Sequence, residues 1–135
     1  MSQKEDSQSI ISKEDIRYIG REIYSNLNDS LGYCYPASNK LVNKMKLEYD
    51  IPDDYINIKE VRLGKHGSII HYVVQLKSFC LKEKTSSYTI LIDITLDQYC
   101  DENYNNNNVQ KTYGLKENIP KVNIFEPGGT PYYSI

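Results

Sequence analysis

Cys34, His71 and Asp93 are the residues whose types and positions could do chemistry. Cys34 is followed by Tyr35-Pro36-Ala37. Proline fits the first turn of a helix, where its missing N–H is not needed. A cysteine at a helix N-terminus meets unpaired backbone N–H groups that favour its thiolate. The same groups can hold an oxyanion near the sulfur. His71 interrupts the apolar run Ile69-Ile70-His71-Tyr72-Val73-Val74, and Asp93 interrupts Ile90-Leu91-Ile92-Asp93-Ile94. A carboxylate in a central strand is costly unless it is paired or hydrogen-bonded. Two such exceptions on neighbouring strands are expected to satisfy each other. Cysteine, histidine and carboxylate then make a nucleophile, a base and an orienter.

Plainer readings stand beside these. Cys34 also fits a small core residue, His71 a core histidine bonded to backbone, and Asp93 the cap of a local turn. Cys80 and Cys100 lack a helix N-terminal setting and read as structural. His66, in Gly64-Lys65-His66-Gly67, reads as an exposed turn residue. Tyr33 and Tyr35 flank the cysteine and are expected to shape a substrate pocket. Gln98 either lines the cleft as substrate or oxyanion support, or joins Asp97 in capping a helical turn. Ser38, one turn after Cys34, reads as polar packing, and Thr95 as support for Asp93.

The elements that position these residues follow from periodicity. Ser12 and Asp15 resemble a helix cap, and Ile16, Ile19, Ile23 and Leu27 recur at helical spacing. A helix is expected over residues 13–28, ended by Asn28 to Gly32. Gly20 reads as a weak spot costing about 1 kcal/mol against alanine. Ala37, Leu41, Val42 and Met45 give a second buried face, for a helix over residues 35–48, and Pro52 marks the break after it. Strands are expected over residues 58–63, 68–77 and 88–95, the last two central, with turns at 64–67 and 82–87. A helical turn at 96–100, an Asn-rich loop at 103–108 and a short strand at 121–125 complete the reading. The order predicts an α+β fold: N-terminal helices packed on an antiparallel sheet. Residues 1–11 read as a flexible lead and 12–135 as one domain.

The pattern Gly32-x-Cys34 opening a helix, then His71-Tyr72-Val73, then Asp93-Ile94-Thr95, resembles the transglutaminase-like branch of the papain-like cysteine-peptidase superfamily. The stretch Asp93-Ile94-Thr95-Leu96-Asp97-Gln98-Tyr99 is also similar to a signature of small bacterial and phage proteins. The resemblance covers about residues 30–100. It implies a papain/transglutaminase-like core with Cys34, His71 and Asp93 as a catalytic triad. It implies acyl transfer at an amide or isopeptide bond of a protein, a peptide or a small amide, by a peptidase, amidase, deamidase or transglutaminase. The alternative is an inactive binding or regulatory module on the same fold.

Composition narrows the field. The chain has 135 residues, 39% hydrophobic and 25% charged, with a net charge of −2. That balance gives no support to nucleic-acid binding, which usually needs a basic face. No apolar run approaches the roughly 18 residues a membrane span needs. The N-terminus Met1-Ser2-Gln3-Lys4 is too polar for a secretion signal. Three cysteines and two histidines without close ligand spacing argue against a zinc site. An odd cysteine count points to free thiols in a reducing, cytoplasmic compartment. The triad chemistry calls for no cofactor.

Overall fold

The structure is a computed structural model and describes residues 10–26, 34–63, 69–96, 120–130 and 132. Helix α1 spans Lys13–Ser25. The Asp15 N–H donates to the Ser12 hydroxyl at 3.0 Å, and the Ser12 N–H donates back to the Asp15 carboxylate at 3.1 Å. This reciprocal cap satisfies donors that the first turn leaves unpaired. The helix stops at Ser25, short of residue 28. The Ser25 hydroxyl and the Asn26 amide both donate to the Glu22 carbonyl, at 2.9 and 3.0 Å. Those side chains compete with the backbone for the acceptor that would continue the helix. The expected terminator at Asn28 to Gly32 lies outside the described residues.

Gly20 is a contact point more than a weak spot. A Cβ there would lie 2.6 Å from Val122 Cγ2 and 3.0 Å from Ile94 Cγ2. Glycine lets α1 press against Ile94, the residue after Asp93. The flexible lead also needs correction at its end. Ile11 is fully buried and bridges Leu81 in parallel, and the Ile10 and Ile11 N–H groups both donate to the Cys80 carbonyl. An apolar side chain and two satisfied amides fix these residues, whatever the polarity of those before them.

Helix α2 spans Cys34–Tyr49 and buries Ala37, Ser38, Leu41, Val42 and Met45. Asp50, at φ 55°, turns the chain out of the helix in the left-handed conformation that Asp tolerates better than most residues.

The sheet has four strands in the order β1-β2-β3-β4: β1 Ile56–Leu63, β2 Ile69–Lys77, β3 Thr89–Asp93 and β4 Asn123–Phe125. All pairings are antiparallel, so β2 and β3 are central. β3 ends at Asp93, two residues before the expected boundary. The Thr95 N–H donates to Asp93 Oδ1 at 3.0 Å, and this tight turn takes the chain out of the ladder. After β2, a short turn at Ser78–Cys80 leads to Leu81, which pairs with Ile11 before the polar loop begins. The turn expected at 64–67 and the loop at 103–108 lie outside the described residues.

Two apolar layers flank the sheet. Val74, Leu76, Ile90 and Ile92 face the helices, packing with Ile16, Ile19, Leu41 and Met45. Val61, Val73, Leu91, Leu96 and Tyr132 form a second cluster on the other face. Among the described residues the fold is α+β, two helices on a four-stranded antiparallel sheet. Among the described residues no helix is long and apolar enough to cross a membrane.

Candidate active site

The register decides where the polar exceptions meet. Val61 pairs with His71 and Gln75 with Leu91, so His71, Val73, Leu91 and Asp93 share one sheet face. His71 and Asp93 are diagonal neighbours across β2 and β3, within reach of long side chains. His71 Nε2 lies 2.8 Å from Asp93 Oδ2, with both side chains 0% exposed. The Tyr132 hydroxyl donates to the same Oδ2 at 2.7 Å. With the Thr95 N–H on Oδ1, Asp93 both orients the histidine and caps a turn. The two sequence readings of Asp93 therefore coexist. Tyr132 also meets the Phe125 ring edge to face, 5.9 Å between centroids, closing the pair under an aromatic cover.

Cys34 reaches this pair through an opening in the sheet. The ladder of β2 with β3 stops at Val74 and Ile92, whereas β1 follows β2 out to Ile69. Tyr72 is the next position of β2 whose backbone groups point toward β3, and β3 has already turned away. The first turn of α2 fills the place. The Tyr72 N–H donates to the Cys34 sulfur. The Tyr72 carbonyl accepts from the Ser38 hydroxyl at 3.1 Å. Both backbone groups of Tyr72 thus meet side chains one helical turn apart. Ser38, buried at 4% exposure, is the polar packing expected of it, in the form of a strap between α2 and β2.

Electrostatics follow from this packing. Burial alone pushes the Cys34 thiol up. The hydrogen bond from His71, the His71 charge and the Tyr72 N–H outweigh it, and the net shift is down. Burial likewise favours neutral His71, but the Asp93 charge and hydrogen bond, helped by Cys34, raise it to about 9. Both shifts favour a thiolate–imidazolium pair. Nε2 is the nitrogen committed to Asp93. Cys34 keeps partial solvent exposure as a residue.

Tyr35 is half-exposed and packs edge to face on Tyr72, 5.1 Å between centroids, at the rim of the site. Tyr33 and Gln98 lie outside the described residues. Tyr132 and the Tyr72 backbone were not singled out by sequence. One of 13 tyrosines carries no distinguishing signal, and a backbone group carries none at all. Among the described residues no group of three or more His, Cys, Asp or Glu side chains is arranged to hold a metal ion. A groove of about 400 Å³ between α1 and α2, lined by Glu22, Ile23, Lys40 and Leu47 among others, excludes Cys34, His71 and Asp93. It holds no nucleophile with an activating partner. No family model matches the chain, nor does any curated protein or solved structure.

Proposed function

We propose that the protein is a thiol-dependent acyl-transfer enzyme acting on an amide or isopeptide bond of a protein, peptide or small amide. The observation that carries this reading is the buried His71–Asp93 pair hydrogen-bonded to a partly exposed cysteine at the first residue of a helix. The Cys34 thiolate attacks the carbonyl carbon and a C–S bond forms. N–H groups of the first turn of α2 stabilise the oxyanion. His71 delivers its proton to the leaving amine, the C–N bond breaks, and a thioester remains. Water or a second amine then attacks the thioester, His71 takes its proton, and the thiolate leaves. The acceptor decides between hydrolysis and transfer. Asp93 holds the imidazole and stabilises its charged form.

The order helix-borne cysteine, histidine on one central strand and aspartate on the next supports a transglutaminase/papain-like core. An inactive module on the same fold would separate the sulfur from His71 or seal it from solvent. Cys34 is hydrogen-bonded to His71 and partly exposed, which favours the enzymatic reading. The test is iodoacetamide labelling across pH, resolved by peptide mass spectrometry. Cys34 is expected to react well before Cys80 and Cys100 near neutral pH. Equal rates for the three would sink the proposal.

A further inference from the structure

Beside the sulfur lies a small apolar surface that the acyl-transfer steps leave unused. Tyr35 is 51% exposed and Ile70 47%, against a general burial of large apolar side chains. Tyr72 stands between them. Its ring meets Tyr35 edge to face, with planes 88° apart. Ile70 is two positions back on the same face of β2. Tyr35 follows Cys34 in the chain and Tyr72 follows His71, so the elements that hold nucleophile and base also hold this rim. The other large exposed apolar side chains among the described residues, Tyr18, Leu47 and Tyr88, do not adjoin the thiol in sequence or register.

We propose, resting on the thiol reading, that Tyr35, Tyr72 and Ile70 form the subsite for an apolar side chain of the substrate, aromatic by preference. The locked Tyr35–Tyr72 pair offers ring surface whose ordering cost is already met before binding. The surroundings disfavour a charged side chain. Glu60 sits opposite Tyr72 and Arg62 opposite Ile70 in the ladder, and these two bind each other at 3.0 Å. That pairing offsets the two charges that lie opposite the rim in the ladder. Ser38, the nearest buried hydroxyl, already donates to the Tyr72 carbonyl. An occupant here therefore gains from contact area and not from ion pairing.

The experiment compares three alkylating reagents on the intact chain: iodoacetamide, N-benzyliodoacetamide and iodoacetylglycine. In each, the Cys34 sulfur bonds to the methylene carbon and iodide leaves. Each Cys34 rate is divided by the rate of glutathione with the same reagent. The benzyl reagent is expected to gain about three- to tenfold over iodoacetamide, the range of one aromatic contact, with no gain for the anionic reagent. Ile70→Ser and Tyr35→Ser are each expected to bring that preference toward one, while Leu47→Ser, on the helix groove, retains it. A benzyl preference near one, an equal gain for iodoacetylglycine, or a full preference in both rim variants overturns the subsite alone. A Cys34 that reacts with iodoacetamide no faster than Cys80 overturns the thiol reading, and the subsite with it.

Discussion

Cys80 closes the short turn after β2, wholly buried in the helix-side core, and burial alone pushes its thiol up to about 11. Cys34 opens α2, and burial pushes its thiol upward too, yet its net shift is down. The difference lies in what each sulfur faces. Apolar side chains surround Cys80, which behaves as a small hydrophobe. Cys34 faces an imidazole held charged by a buried carboxylate, and an amide taken from the sheet. Low dielectric silences a thiol with no polar partner and strengthens the effect of partners where they exist.

The largest expected effect breaks the activating side of this contrast. Asp93→Ala removes the acceptor of His71, Tyr132 and the Thr95 N–H together. Removing one member of a buried pair costs about 3–5 kcal/mol. Urea melts should show that loss, and Cys34 labelling near pH 7 should fall toward the rate of an ordinary thiol. A stable variant with unchanged labelling would mean that the pair tunes nothing.

Ser38→Ala is next. It strands the Tyr72 carbonyl in the interior, at about 1–3 kcal/mol. It also loosens the residue whose N–H supports the thiolate, so the midpoint of the Cys34 labelling-against-pH curve should move up. A loss of stability with an unmoved midpoint would reduce Ser38 to a structural strap.

A smaller effect concerns pH. The folded protein keeps a proton on His71 that the unfolded chain sheds above about 6.5. That contribution is full at lower pH and lost as pH rises through about 9. The lowered Cys34 thiol acts in the opposite sense, stabilising at high pH and less as pH falls. In Cys34→Ala only the histidine arm remains. Its stability should decline above pH 6.5 more steeply than that of the parent, in a window that closes below 9 because the Cys34 contribution to the raised histidine is gone, by at most about 1.4 kcal/mol per pH unit. Identical pH profiles in denaturant melts would show that the two protons are not linked. The smallest effect sharpens the comparison from the other side. Cys80→Ala should cost about 1 kcal/mol, as core trimming does, and leave Cys34 labelling as it was.

Much of this arrangement was legible in the chain. Isoleucines at helical spacing marked α1, and apolar runs marked β2 and β3, because periodicity reports burial directly. His71 and Asp93 stood out for the same reason, as polar residues where that burial pattern left no room for them. What stayed hidden depends on contacts between distant segments. Gly20 looked like a propensity defect until Ile94 and Val122 were found against it. Ile11 looked like part of a lead because its partner, Leu81, lies 70 positions on. The early end of β3 came from a side chain bonding its own backbone, where strand propensity alone ran on to Thr95.

That early end has a consequence for when the thiol becomes reactive. Tyr72 offers its N–H to sulfur only because a helix has docked where a strand would otherwise lie. In an extended or partly collapsed chain Cys34, His71 and Asp93 are far apart, and Cys34 titrates as an ordinary thiol. The lowered thiol therefore depends on tertiary contacts and is lost when they open. A newly made or damaged copy is chemically quiet, and the rate of Cys34 labelling reports the integrity of the folded chain.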